Sequence, residues 1–343
     1  MYSPDGSHDR ILSQRPLLAF DENKPFAPQQ EAIRAKILEC LGDMPESIVP
    51  LDPVVESVTE HETFIERRIS FSVEEGVRAV CLLNIPKNRK GKVPLCIVVQ
   101  GHGTGMHVSM GRKLYEKDHP ESGERDNGIQ ALERGYASLC LEQRGFGERR
   151  TEKNGYANEV PGSPRCHTTA MVALILGRTM VGERCWDISR AIDLALTYPE
   201  IDGNKILCTG NSGGGTATYY AAVYDERIKV AMPCSAVCTF KDSIAAMKHC
   251  ECNYVPKIAK YVDMGDMAAA IAPRKLVVVN GREDPIFPQK GVDESCEIIK
   301  KIYEAAGVPE NFAHKEGDGA HRYYKIPAWE GFSEVTNGEW DKE

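Results

Sequence analysis

The chain has 343 residues, 42% of them hydrophobic, and a formal net charge of −8. This length can bury the core of one large domain or of two small ones. The negative charge excludes nucleic acid as the expected partner, because binding a phosphate backbone needs a concentrated basic surface. The sequence shows no secretory signal pattern and no apolar run of the ~18 residues that a membrane span needs. We therefore predict a cytoplasmic protein without a membrane partner.

The twelve cysteines are predicted to be reduced. Four of them lie inside apolar, strand-like runs, where cysteine behaves as a small hydrophobic residue: Cys81, Cys96, Cys140 and Cys208. A chain of this length without a secretory signal is more typical of free thiols than of a disulfide framework.

The first part of the chain shows three different patterns. Residues 1–27 are polar, contain prolines and lack periodicity, which predicts an extended arm. Apolar residues then recur at helical spacing, which predicts a surface helix between Pro28 and Gly42. Period-two alternation between Val54 and Pro86 predicts an antiparallel hairpin or meander.

From Leu95 onward, strand-like runs alternate with helix-like runs. This alternation predicts an α/β fold with a mostly parallel sheet and helices on both faces. Strands are predicted at Leu95–Val99, Tyr136–Leu141, Ile206–Thr209, Ile228–Pro233, Leu276–Asn280 and Phe312–Lys315. Helices are predicted at Asn127–Arg134, Thr169–Met180, Trp186–Thr197, Gly214–Tyr224 and Val292–Ala306. Residues 28–343 are read as one domain, in which the helix-like segment 234–272 forms a small lid over the carboxyl edge of the sheet.

The pentapeptide Gly210-Asn211-Ser212-Gly213-Gly214 lies between a predicted strand and a predicted helix. It fits the pattern G-x-S-x-G, which places a serine on a sharp strand-to-helix turn. Glycines are needed there because side chains on either side would collide with the neighbouring strand and helix. Glycine-serine clusters also form ordinary turns. Ser212 is nevertheless the candidate nucleophile.

A serine nucleophile needs a base, and the base needs an acid to orient it. Asp284 follows the predicted strand that ends at Asn280, and His321 lies on a glycine-bearing loop after the last strand. The order Ser212, Asp284, His321 is the order expected for this chemistry on an open α/β sheet. Asp284 could instead begin a turn before a proline, and His314 competes with His321, although His314 lies within its strand.

Catalysis would also need backbone N–H groups that stabilise an oxyanion. One is predicted at Gly213, directly after the candidate nucleophile. The second is expected in the loop Gly101–Gly105, at Gly103 or Thr104, with His102 shaping the loop.

These motifs together resemble the α/β-hydrolase superfamily, and longer stretches resemble bacterial esterases of the acetyl-xylan-esterase and dienelactone-hydrolase branches. The resemblance covers residues 28–325 and departs from dienelactone hydrolases in having serine, not cysteine, at position 212. It implies hydrolysis of carboxylic esters, with removal of small, acetyl-like groups from a sugar or another alcohol. The longer stretches are Gln143–Glu148, Trp186–Asp187, Arg190–Asp193, Pro199–Asp202 and Ile271–Arg274.

Four further side chains are candidate pocket residues: His102, Arg144, His249 and Tyr323. For Arg144 the alternative is pairing with nearby carboxylates, and for Tyr323 it is anchoring the C-terminal tail. A metal and a cofactor are not expected. The cysteines between Cys234 and Cys252 have the spacings C-x3-C and C-x-C, which suit zinc poorly.

Two other functions share parts of this pattern. Serine peptidases of the prolyl-oligopeptidase type have the same triad order, but fewer than a hundred residues precede Leu95, too few for their β-propeller. A non-catalytic binding protein with this fold would not require all three candidate triad residues. The favoured function is a serine esterase that acts on a small-molecule ester, with a homo-oligomer left open.

Overall fold

The computed structural model describes residues 2–119, 123–151 and 162–341. Within these residues the strands are β1 (Val54–Glu60), β2 (Phe64–Glu74), β3 (Val77–Pro86), β4 (Val93–Val99), β5 (Ala137–Leu141), β6 (Ile201–Asn211), β7 (Val230–Cys234), β8 (Lys275–Gly281) and β9 (Phe312–Gly317). The α-helices are α1 (Asp5–Leu12), α2 (Phe26–Cys40), α3 (Asn127–Leu132), α4 (His167–Ile175), α5 (Met180–Ala195), α6 (Gly213–Tyr224), α7 (Ile258–Tyr261), α8 (Gln289–Ala305) and α9 (Lys325–Thr336).

All of these strands belong to one sheet, in the order β1-β2-β3-β5-β4-β6-β7-β8-β9. Pairing is antiparallel from β1 to β5 across β2 and β3, and parallel from β5 to β9. Parallel strands place their carboxyl ends at one edge, so the loops after β4, β6, β8 and β9 meet there. The predicted α/β fold with antiparallel N-terminal strands is confirmed.

Helices cover both faces of the sheet and bury its apolar strands. One core cluster contains residues of α2, α5, α6 and α8. The other contains residues of α3 and α9, among them the nearly fully buried Trp329 and the fully buried Phe332, together with Tyr136 just before β5. Burial on both faces explains why the central strands are continuously apolar. No helix in the described part of the chain combines the length and apolarity that a bilayer crossing requires.

The N-terminal arm differs from the prediction. Residues 5–12 form α1, whose residues include none that is buried. The following segment is held by backbone hydrogen bonds from Leu17 to Lys260 (3.0 Å) and from Leu18 to Tyr261 (2.8 Å). Tertiary contacts thus fix a stretch that lacks an apolar pattern of its own.

The predicted helix Thr169–Met180 was wrong at its C-terminal end. α4 ends at Ile175, Gly177 adopts a left-handed conformation (φ 76°), and α5 begins at Met180. The hydroxyl of Thr179 accepts a hydrogen bond from the N–H of Gly182 (2.9 Å), which caps α5. The cap explains why α5 begins six residues before the predicted start at Trp186.

The predicted lid, residues 234–272, is mostly irregular, with α7 and two short 3₁₀ segments. It was expected to be helical. Part of it, residues 247–250, lies at the carboxyl edge of the sheet and lines the cavity described below.

Candidate active site

Ser212 lies on a sharp turn between β6 and α6. Its backbone is strained, with φ 56° and ψ −123°, a conformation that non-glycine residues rarely adopt. Its N–H donates to the carbonyl of Cys234 at the end of β7 (2.9 Å). The strained turn is therefore held by the neighbouring strand.

The glycines around Ser212 are required by close backbone approach. A Cβ atom at Gly210 would lie 2.3 Å from the carbonyl oxygen of Val99, and one at Gly214 would lie 2.1 Å from the same atom. Both distances are far inside van der Waals contact, and the obstacle is backbone. Any side chain at these positions would push the turn away from β4.

His321 and Asp284 form a hydrogen-bonded pair at the same edge. His321 Nδ1 lies 2.7 Å from Asp284 Oδ2, and the Asp284 side chain is fully buried. The other carboxylate oxygen accepts the N–H groups of Ile286 (2.8 Å) and Phe287 (3.2 Å). The Phe287 ring stacks on His321, with ring centroids 5.8 Å apart. This arrangement fixes the imidazole and leaves its Nε2 for other partners.

The loop after β4 lies beside the turn that carries Ser212. A Cβ at Gly213 would lie 2.7 Å from the His102 ring, and one at Gly101 would lie 2.6 Å from the carbonyl oxygen of Asn211. The Thr104 hydroxyl donates to Asp118. The N–H of Gly213 is in the first turn of α6, where N–H groups have no partner within the helix. The loop after β4 and the turn that carries Ser212 therefore lie against each other at the same edge.

A buried carboxyl group anchors this loop from below. Glu142 accepts the N–H of Met106 (3.1 Å) and the side-chain amide of Gln100 (2.5 Å). Burial raises the pKa of Glu142 to about 7, although these two hydrogen bonds lower it. Glu142 was not predicted as a site residue, because a single glutamate after a strand carries no distinctive sequence pattern.

The candidate residues surround one cavity of about 460 Å³. This volume lies in the range of small-molecule sites, about 300–1,000 Å³. The predicted site residues that line it are His102, Gly103, Thr104, Ser212, Gly213, His249 and His321. Asp284 lies behind His321. The structure therefore brings together the predicted triad and the predicted oxyanion donors.

Two predicted pocket residues do not line the cavity. Arg144 is buried in an ion-pair network with Glu74 (2.7 Å), Glu183 (3.2 Å) and Asp187 (2.8 Å). Tyr323 is buried below the sheet edge, with its hydroxyl 3.4 Å from that of Thr209. For both residues the structural alternative replaces the predicted pocket role.

His249 occupies the lid side of the cavity. Its Nε2 lies 3.3 Å from the hydroxyl of Ser243, and its ring meets that of Phe287 edge to face. Burial lowers the pKa of His249, and the neighbouring rings of His102 and His321 lower it further. His249 is therefore a neutral polar group of the cavity wall.

Cationic side chains also line the cavity, and sequence analysis did not single them out. Lys117, Arg125 and Lys248 border it, together with Asp118. Asp118 is already engaged, because its carboxylate accepts the N–H groups of Leu114 and Tyr115 (both 2.9 Å) in addition to the Thr104 hydroxyl. The described part of the wall is therefore predominantly positive.

Comparison with known proteins shows which family this chain belongs to. A family model described as an abhydrolase family matches residues 6–327. The chain belongs to this abhydrolase family. The predicted α/β-hydrolase superfamily is thus confirmed, and with it the prediction of an enzyme of the hydrolase class.

Three similar proteins share less than 25% sequence identity with this abhydrolase. A protein of Bacillus subtilis (strain 168) named "Putative hydrolase YtaP" is 24% identical over 280 residues, which cover 80% of this chain and 88% of the relative. The crystal structure of a "putative acetyl xylan esterase" from Bacteroides fragilis NCTC 9343 has a TM-score of 0.76 at 16% identity, covering 96% of this chain and 84% of that one. A glucuronoyl esterase from Solibacter usitatus has a TM-score of 0.68 at 17% identity, covering 96% and 98%. The predicted likeness to the acetyl-xylan-esterase branch is confirmed for the fold.

Proposed function

We propose that this abhydrolase is a serine esterase that cleaves carboxylic esters through an acyl-enzyme intermediate. The observation that carries the proposal is the hydrogen-bonded His321–Asp284 pair on the same cavity as Ser212, which sits on a strained strand-to-helix turn. Strain of this kind persists at functional sites because the surrounding structure enforces it.

The reaction begins when the Ser212 hydroxyl attacks the ester carbonyl and His321 Nε2 takes its proton. Asp284 holds the histidine with its proton on Nδ1 and stabilises the imidazolium that forms. The developing negative charge on the carbonyl oxygen is stabilised by the N–H of Gly213 and that of Gly103 or Thr104. His321 then protonates the leaving alcohol. The same histidine deprotonates a water molecule, which attacks the acyl group and frees Ser212.

The acyl group is proposed to be small, and the alcohol to be a sugar or a similar polar molecule. The named structural neighbours are described as acetyl xylan and glucuronoyl esterases, which supports a carbohydrate ester as the substrate class. The cavity volume supports a substrate larger than an acetyl group, since such a group alone would leave most of it empty.

The proposal is tested with p-nitrophenyl acetate and with an acetylated sugar. Ser212→Ala should abolish turnover. Ser295→Ala is the matched control, because Ser295 lies in α8, does not line the cavity, and has a hydroxyl without a hydrogen-bond partner within the described chain. Full activity in Ser212→Ala would contradict the esterase. A rate that rises from acetyl through butyryl to octanoyl esters would contradict the small acyl group.

A further inference from the structure

Four potential metal ligands converge beside the candidate active site. Cys166, Cys250, Cys252 and His102 each offer one ligand atom, and these four atoms lie within 4.8 Å of one another. They come from three separate parts of the chain: the loop after β4, the residue before α4, and the lid. Because Cys166 and His102 are far in sequence from Cys250 and Cys252, the spacing of the lid cysteines alone could not reveal the group.

The dimensions of the group suit a tetrahedral metal ion. Zinc bound at about 2.3 Å from sulfur places tetrahedral ligand atoms about 3.8 Å apart. His102 Nε2 already lies 3.1 Å from Cys252 Sγ. Cys252 is fully buried and Cys166 is 3% exposed, whereas His102 and Cys250 lie at the border of the cavity. Small ligand movements would therefore admit an ion.

We propose that Cys166, Cys250, Cys252 and His102 bind one structural zinc ion. Three thiolates with one imidazole form a common zinc ligand set. Binding releases the three thiol protons to solvent and leaves the cysteines ligated as thiolates. Four protein ligands complete the tetrahedron, so no position is open for water or substrate. The other two lid cysteines lie elsewhere: the Cys234 thiol donates to the carbonyl of Arg322, and the Cys238 thiol donates to the carbonyl of Pro288.

The surroundings supply the charge that such a site requires. A zinc ion with three thiolates carries one net negative charge, and Arg184 carries the balancing positive charge. Arg184 Nη1 lies 3.3 Å from Cys252 Sγ, and Nη2 lies 3.7 Å from Cys166 Sγ. The arginine is itself buried and fixed by a hydrogen bond to the carbonyl of Arg144 (2.8 Å). Outer hydrogen bonds to metal ligands of this type orient the ligands and strengthen binding.

The ion would tie the candidate oxyanion loop to the lid. The His102 ring lies against Gly213, and Gly103 and Thr104 follow directly in the chain. Zinc binding is independent of the proposed esterase function; only its effect on turnover depends on that function. An inactive protein that holds zinc would therefore refute the esterase and leave the metal site intact.

The test measures metal content, not activity. The full chain is expressed with added zinc, purified without chelator and analysed by inductively coupled plasma mass spectrometry. We expect about one zinc per chain in the wild type, and at least about 100-fold weaker zinc binding in Cys252→Ser. Cys296→Ser is the matched control, because Cys296 is also a buried thiol but lies in α8, outside the group. It should keep the full zinc content.

Two further measurements keep the proposal testable if Cys252→Ser fails to fold. Cys250→Ser changes the least buried of the three thiols and should lose zinc with its circular dichroism spectrum unchanged. Cobalt added to the metal-free wild type should give the visible bands of a tetrahedral thiolate site. A zinc-free wild type with no cobalt spectrum would overturn the proposal. So would a disulfide between two of the three cysteines in freshly purified protein, detected by peptide mass mapping.

Discussion

Replacing Asp284 by asparagine isolates the electrostatic part of the proposed mechanism, because the two side chains have nearly the same shape. Asp284 Oδ1 accepts two backbone N–H groups, and Oδ2 faces His321 Nδ1. In Asp284→Asn the amide oxygen should stay with the backbone donors, so the amide nitrogen faces Nδ1. Nδ1 must then accept, the ring proton moves to Nε2, and His321 can no longer take the Ser212 proton.

The hydrogen bonds of Asp284 determine how much activity the substitution should remove. Turning the amide to restore the correct tautomer gives up two backbone hydrogen bonds, each worth about 1 kcal/mol. A cost of about 2 kcal/mol leaves only about 3% of molecules in the active arrangement. Loss of the carboxylate charge beside the imidazolium lowers the rate further, and the corresponding change in serine proteases costs about 10⁴-fold. We expect a decrease in kcat/KM between about 10² and 10⁴-fold, or roughly 3 to 5 kcal/mol.

The assay is hydrolysis of p-nitrophenyl acetate, with thermal melting as the check on folding. Asp318→Asn is the matched control, because Asp318 is on the same loop as His321 but is exposed and pairs with the exposed Arg282. Its kcat/KM should change by less than about twofold. A folded Asp284→Asn variant that keeps more than a tenth of the wild-type kcat/KM would refute the assigned role of Asp284.

Three further variants test the surroundings of the site. The pKa of Glu142 is about 7 in the folded protein, against an ordinary 4.5, so the wild type should lose up to about 3 kcal/mol of stability as pH rises from about 4.5 to 7. The melting temperature of Glu142→Gln should therefore rise above that of the wild type, and the gap should widen over this pH range. A gap in melting temperature that is constant with pH would contradict the raised pKa. Lys248→Ala should raise KM for an anionic ester by severalfold and leave a neutral ester unchanged; equal effects on both esters would exclude a charge role. Asp187→Asn removes one of the carboxylates that neutralise the buried Arg144, and it should lower the free energy of unfolding in urea titration by about 3 kcal/mol. A loss below about 1 kcal/mol would show that the remaining carboxylates are enough to neutralise Arg144.

The predictable parts of the fold are those whose own residues form a recognisable sequence pattern. Buried strands of a parallel sheet are continuously apolar, so β4 and β8 stand out in the sequence. The order Ser212, Asp284, His321 could be read because each residue lies in the loop that follows a recognisable strand. The topology of the sheet then brings these three loops to one edge without further information.

The parts that were not predictable depend on contacts between distant residues. Arg144 has the sequence context of a loop arginine, and only the fold shows that three carboxylates surround it. The cysteine group is similar, since Cys166 joins Cys250 and Cys252 from about 85 positions away. α9 was also missed. The predicted cytoplasmic location stays a prediction.

The tight approach of Gly210 and Gly214 to Val99 has a consequence for the evolution of substrate range. The turn beneath Ser212, here called the floor, is backbone packed on the backbone of β4, so side chains at Gly210 and Gly214 are sterically barred. The roof is made of side chains from loops, including Met247, Lys248 and Phe287, and loops tolerate exchange. New specificities in relatives, or in laboratory selections, should therefore arise by changes in the roof over an unchanged floor.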